Sequence, residues 1–224
     1  MVKRYAFALF AALLLCTLDL HAGQVIDRII ASVNSHIILQ SDWDDAVRCE
    51  AVMNGIPMNE ITPLKRKAVL DRMIDQELLR EQIPSLEHPS VNDSDVLHRL
   101  TNIRKFYDTT GNDQLWTKTL AQYQVTEQEI KNKIVLQMEL MDLVNSHLRP
   151  EIQIDQKSIE SYYNQALLPQ LQQSGSQQVP LAKAAPQIKE ILTQEKMNQL
   201  LVAWLQNLRA GSKIVTNPSG DLAQ

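Results

Sequence analysis

The sequence predicts a mainly α fold: a multi-helix core with a small β-hairpin at its N-terminal end and a C-terminal helix plus short strand packing back on it. Three observations predict it. Apolar residues recur at spacings of three and four through most of the chain beyond residue 40. Helix caps of the Ser, Thr and Asn/Asp type stand ahead of those runs. Aromatic residues are only 5% of the 224 residues and glycines number 6, too few for most β-sandwiches and Gly-rich nucleotide-binding folds.

Val25 to Val33, VIDRIIASV, is rich in Val and Ile and reads as a strand. Asn34 and Ser35 turn the chain, and His36 to Leu39 gives a second strand of a hairpin that must pack on something to be stable. Ser41 is the expected cap of the first helix, with Asp42, Asp44 and Asp45 in the turn where the helix dipole favours acids, and the helix stops at Asn54-Gly55. Thr62 with Pro63 opens the next, whose stripe is Val69, Leu70, Met73, Ile74 and Leu78. Pro84 and Pro89 frame a loop. Asn92 or Asp93 starts a helix through Val96, Leu100, Ile103 and Phe106 to about Gly111, and a shorter helix from Asp113 to about Tyr123 carries Leu115, Trp116 and Leu120. Thr126 and Glu129 form a capping box ahead of a helix reaching about Leu148. Its apolar residues cover more than half the circumference, as in a helix central to its domain. Asp155 caps a helix interrupted or ended at Pro169. Gln172 to Pro186 reads as a linker, Pro186 opens a long helix to about Ala210, and Lys213 to Thr216 is a short strand. The last eight residues read as a frayed tail.

Composition excludes several functions. Lys plus Arg is 22 against 26 Asp plus Glu, a net charge of −4, which argues against general nucleic-acid binding. No Walker loop, GxGxxG or G-x-S-x-G is present, so neither a nucleotide nor a cofactor is expected. The cluster Asp42, Asp44, Asp45 lacks the Gly and the terminal Glu of a calcium loop and reads as helix-start acids. His36, His88, His98 and His147 have no partner at metal-ligand spacing, so no metal site is expected.

Lys3 and Arg4 precede the apolar run Tyr5 to Leu15, and a polar stretch leads to Ala22-Gly23. This is the layout of a secretory signal peptide over residues 1–22. The run is short for a transmembrane helix of ~20 apolar residues, which leaves an uncleaved anchor as the alternative. A lipoprotein reading at Cys16 meets Leu15 where a small residue is expected. Cleavage leaves Cys49 as the one cysteine, read as a small buried hydrophobe.

The ordered series of segments carries a resemblance. Val25-Ile26-Asp27, Ile30-Ala31, Val33-Asn34, Ile37-Ile38 and Ser41-Asp42 resemble the start of the SurA-like periplasmic chaperones. LDRMIDQELLREQ is similar to that family's second helix, VTEQEIKNKIVLQMELMDLV to its central helix, EIQIDQKSIESYYNQ to the segment before its isomerase domain, and PLAKAAPQIKEILTQEKMNQLLVAWLQNLRAGSKI to its C-terminal helix and strand. The resemblance divides the chain into a chaperone core over 23–172, a linker over 173–185, and a helix and strand over 186–216 that complete the core. It also implies that the terminal strand pairs with the N-terminal hairpin. Members usually carry parvulin-type prolyl isomerase domains between the Tyr-Tyr helix and the C-terminal helix. Only Ser174 to Ala185 lies there in this chain, and a domain needs at least ~50 residues. The expected function is therefore an ATP-independent periplasmic holdase for unfolded exported or outer-membrane proteins, without isomerase activity. The alternatives are a structural or adaptor subunit of an envelope complex and, against the missing domain, a prolyl isomerase. Trp116, Tyr123, Met138 and Met141 are the candidate client contacts. Thioethers adapt to varied partners, while the competing reading makes Met138, Met141 and Met197 core fillers.

Export predicts cleavage near Ala22. Mass spectrometry of protein from an envelope fraction should find a mature N-terminus at about Gly23, and an intact Met1 in a soluble cytosolic pool would contradict it.

Overall fold

The computed structural model describes residues 27–83 and 91–217. The proposed signal peptide, residues 25 and 26 of the first strand, the Pro84 to Pro89 loop, His88 and the tail from residue 218 lie outside the described residues. The elements run β1 (Ile29–Val33), β2 (His36–Leu39), α1 (Gln40–Met53), α2 (Pro63–Arg80), α3 (Asp93–Lys105), α4 (Asp113–Tyr123), α5 (Glu127–Leu148), α6 (Gln156–Tyr162), α7 (Leu168–Gln173), α8 (Leu181–Gly211) and β3 (Ile214–Thr216).

The sheet has the order β2-β1-β3, antiparallel throughout. Ser32 sits opposite both Ile37 and Val215, so the first and last described elements meet on one strand. Asn34, in the left-handed conformation at φ +53° in the hairpin turn, fastens that closure. Its N–H donates to the Lys213 carbonyl at 2.9 Å, its Oδ1 accepts from the Lys213 N–H at 2.9 Å, and its Nδ2 donates to Glu81 Oε2 at 2.7 Å.

α1 begins earlier than the sequence suggests. Leu39 is its N-cap, and the Leu39 N–H donates to Asp42 Oδ2 at 3.0 Å. Ser41 is not the cap. Its N–H donates to Asp27 Oδ1 at 3.2 Å and its hydroxyl bonds the same carboxylate, which these bonds hold below the usual carboxylate range. Trp43 is buried between α1 and α2, with its Nε1 donating to the Arg66 carbonyl at 2.9 Å and the Arg66 guanidinium 4.6 Å from the ring centroid. Asp44 and Asp45 pair with Arg66 and Arg48.

Thr62 caps α2 through its side chain, with Pro63 in the first turn, and Val69, Leu70, Ile74 and Leu78 are buried as the stripe requires. Met73 is partly buried against the same cluster. α3 stops at Lys105 rather than near Gly111, leaving Phe106 exposed. Cys49 is buried, and desolvation pushes its thiol up to about 11, so it behaves as a hydrophobe.

α5 is central. Its front half gives Ile130 and Ile134 to a core shared with α1, α3 and α4, and its rear half gives Leu140, Val144 and Leu148 to a second core with α8. The capping box is formed: Glu129 N–H donates to Thr126 Oγ1 at 3.2 Å and Thr126 N–H donates to Glu129 Oε2 at 2.6 Å. The Trp116 indole donates to Glu127 Oε2 at 2.7 Å, tying α4 to the start of α5. Lys131, then Trp116, hold the Glu127 carboxyl below its ordinary range.

α6 and α7 are joined by one π-helical turn, Tyr163–Leu167, closed by the Leu168 N–H donating to the Tyr163 carbonyl. This wider turn precedes Pro169, which has no N–H to donate, so the proline neither ends the helix nor breaks it. Pro186 does not open α8, and that expectation is corrected. The helix starts at Leu181 behind Pro180, with Pro186 in its second turn. The bond Pro186 cannot make would reach the carbonyl of Ala182, an exposed residue open to water. Residues 174–180 alone separate α7 from α8, far short of the ~50 that a domain needs. The front of α8 packs Ala184 and Ile188 on Ile159, while its rear packs Met197, Trp204, Leu205 and Leu208 on Leu79, Leu140, Val144 and Leu148.

Three expectations follow. Trp204 is partly buried and stacks on His147 at 4.3 Å, so Trp204→Ala should cost about 2–3 kcal/mol in denaturant unfolding, below the ~3–5 kcal/mol of a fully buried ring. A fragment ending at residue 180 should lose cooperative unfolding, because the rear core and β3 go with it. Glu127 has a depressed folded pKa, so its stabilisation is present above the unfolded carboxylate range and is lost as pH falls through the lower folded value. Glu127→Gln should therefore destabilise near neutral pH, and its effect should shrink as the pH falls through and below the carboxylate range; a loss that does not change with pH would show that the charge contributes nothing.

Candidate functional site: a polar cleft along α2

α2 is the spine of three adjoining cavities. The largest, about 560 Å3, opens between α1, α2, α3 and α5. Its floor is apolar, from Met53, Ile103 and Ile134. Its walls are polar, with the carboxamides of Asn54, Gln76, Asn102 and Gln137 coming from four different elements. A second pocket of about 160 Å3 lies between α1, the loop at Ile56–Ile61 and α2, lined by Val47, Ala51, Ile61, Ala68 and Val69. A third of about 310 Å3 lies between β2, α2 and α5, and shares Gln76 with the first.

Helix spacing produces this arrangement. Arg72, Gln76 and Arg80 recur every four residues along α2, on the flank of the stripe that packs on the sheet. Glu50 of α1 is buried and faces Arg72, which donates from Nε to Oε1 at 3.3 Å and from Nη2 to Oε2. The pair stands where the first and second cavities adjoin, since Glu50, Asn54 and Arg72 line both. Lys133 Nζ donates to Gln76 Oε1 at 3.1 Å from the third cavity's wall, and burial pushes its ammonium below the usual lysine range. Glu77 Oε2 faces the same cavity 3.9 Å from His36 Nε2, and it is a buried oxygen with no hydrogen bond.

The residues singled out in the sequence fall in different places. Trp116 is 2% exposed and Tyr123 8% exposed, and both sit in the core beneath α3 and α5. Their polar atoms have internal partners: the indole bonds Glu127, and the Tyr123 hydroxyl lies 3.4 Å from that of Tyr107. Tyr107 in turn donates to the Val52 carbonyl at 2.9 Å, and burial pushes its phenol up. Met138 is partly buried against that core, and Met141 is 50% exposed on α5. Met197 is buried. The cleft does not bring these side chains together. Its lining carboxamides were missed by the sequence reading, because Asn and Gln on a helix flank look like any solvated face; the one available signal was their recurrence beside the Arg72 and Arg99 positions.

This arrangement offers hydrogen-bond donors and acceptors over an apolar floor and has no nucleophile–base pair. Among the described residues no three His, Cys, Asp or Glu side chains gather as a metal site. Among them, too, no helix is long and apolar enough to cross a membrane.

Comparison with known proteins agrees with this architecture. The chain is 29% identical over 168 residues to a protein named Chaperone SurA from Aliivibrio fischeri, an alignment covering 71% of this chain and 37% of the relative. The chain thus spans little more than a third of that relative's length. The family model of the SurA-like N-terminal domain matches residues 5–144, more than half of the chain and every element from β1 into the rear half of α5, and the chain belongs to that family.

Proposed function

We propose that this protein is an ATP-independent chaperone of the periplasm, a holdase that keeps unfolded exported or outer-membrane proteins from aggregating. The observation that carries the reading is the open cleft along α2, polar at its walls and apolar at its floor, in a chain of the SurA-like N-terminal family. The chaperone named in the comparison and the apolar run at Tyr5 to Leu15 support the periplasm as its compartment. Binding there runs on passive burial of client apolar surface and on hydrogen bonds, with no nucleotide cycle.

Met138 and Met141 on α5 present adaptable thioethers to the client, and Trp116 and Tyr123 belong to the rigid core against which Met138 packs. The protein carries no prolyl isomerase activity, because residues 174–180 leave no space for the domain at the position where the family carries it.

Two assays test the proposal. Purified protein should suppress aggregation of two unrelated, chemically unfolded proteins at near-equal stoichiometry, with ATP absent. Failure with both, alongside stable copurification with a single envelope protein, would favour a fixed adaptor instead. A proline-limited refolding reaction should keep its uncatalysed time course of tens to hundreds of seconds, and an acceleration proportional to protein concentration would overturn the non-enzyme reading.

A further inference from the structure

The 560 Å3 cavity has a lining chemistry that selects among ligands. Asn54, Gln76, Asn102 and Gln137 each carry a planar donor and acceptor, the same pair that a peptide group carries. Part of each pair is left open. Asn54 Nδ2 donates to the Glu50 carbonyl at 2.8 Å, leaving its oxygen. Gln76 Oε1 accepts from Lys133 at 3.1 Å and Asn102 Oδ1 accepts from Lys105 at 2.8 Å, leaving both amide nitrogens. The Gln137 carboxamide makes no hydrogen bond, and the Arg99 guanidinium no ion pair, to any described residue. Open donors and acceptors therefore surround an apolar floor, on four separate elements.

Other ligand classes fit poorly. A phosphate would meet the Glu50 carboxylate, with Arg72 already engaged by it. A sugar ring would find no aromatic face, since no Trp, Tyr, Phe or His lines the cavity. An extended polypeptide fits, because its alternating N–H and C=O groups match the open carboxamides whatever its side chains are. The adjoining pocket adds one selective element. At about 160 Å3 with mostly apolar walls, Glu50, Asn54, Lys65 and Arg72 completing its lining, it is close in size to the ~150 Å3 apolar cavity that holds a benzene ring, so it admits one Leu or Phe side chain.

We infer that this cleft binds an extended client segment through its main chain, on Asn54, Gln76, Asn102 and Gln137, with one Leu- or Phe-sized side chain of the segment seated in the pocket between Val47 and Ala68. The inference rests on the chaperone reading and states what that chaperone recognises: backbone, plus a single apolar anchor beside the Glu50–Arg72 pair.

The test uses a short fluorescein-labelled Gly/Ser peptide carrying one central Leu, and the same peptide with Ser in place of Leu, in fluorescence-anisotropy titrations of the purified protein. The Leu peptide should bind roughly tenfold more tightly than the Ser peptide, the step expected from burying one aliphatic side chain. Gln137→Met keeps the shape and removes the hydrogen bonds, and should weaken both peptides by the same factor, roughly five- to tenfold. Ala68→Phe fills the pocket and should abolish the preference for Leu while sparing binding of the Ser peptide. Thermal unfolding checks that each variant folds; if Ala68→Phe does not, the Leu-against-Ser comparison on the unsubstituted protein and Gln137→Met decide alone. Equal binding of the two peptides, or unchanged binding by Gln137→Met, overturns the inference. Aggregation suppression is measured alongside on the unsubstituted protein. If it persists while the peptide pattern fails, the cleft assignment falls and the chaperone reading stands; if it is absent too, both fall.

Discussion

The structure depends on α5 burying two faces in series. Ile130 and Ile134 close one core against α1, α3 and α4, and ten residues further on Leu140, Val144 and Leu148 close another against α8. A helix apolar over so wide an arc cannot lie on a surface, and the rest of the fold is arranged to cover it. α2 is held between the sheet on one side and α5 and α8 on the other, with Arg209 of α8 donating from Nε to Asp75 Oδ1 at 2.7 Å. The cleft arises where α1, α2, α3 and α5 diverge around Gln76, so its polar walls are the outer flanks of the same helices whose inner faces form the cores.

Much of this was legible in the sequence because it depends on local rules. Thr62-Pro63, Asn92, Thr126 with Glu129, and Asp155 are caps with side-chain acceptors, and each begins a helix where its type requires. Two boundaries were not legible. Ser41 resembles a cap, yet the acceptor that serves it comes from Asp27, ahead of the sheet, and only the folded hairpin brings the two together. Pro186 resembles a first-turn proline, but Pro180 already sets the entry angle, and the helix continues past the second proline because Ala182 is solvated.

The candidate site was harder to read. Trp116 and Tyr123 carry the residue types found on binding surfaces, but their burial was decided by partners distant in sequence or invisible to helical spacing, namely Glu127 and Tyr107. Asn54, Gln76, Asn102 and Gln137 are individually unremarked polar residues that acquire meaning only when four elements converge. Periodicity reports which face is dry. It says nothing about which wet faces meet.

The placement of β1 between β2 and β3 has a consequence for how the molecule is made. β1 is synthesised long before β3, so the sheet joins segments separated by nearly the whole described chain. Contacts so far apart in sequence form late and slowly. Until Lys213 reaches Asn34, one edge of β1 has no partner and the rear core lacks α8, so the unfinished chain shows apolar surface of the kind that aggregates. The protein proposed to protect other chains from that hazard passes through it during its own synthesis, and leaves it only when β3 arrives.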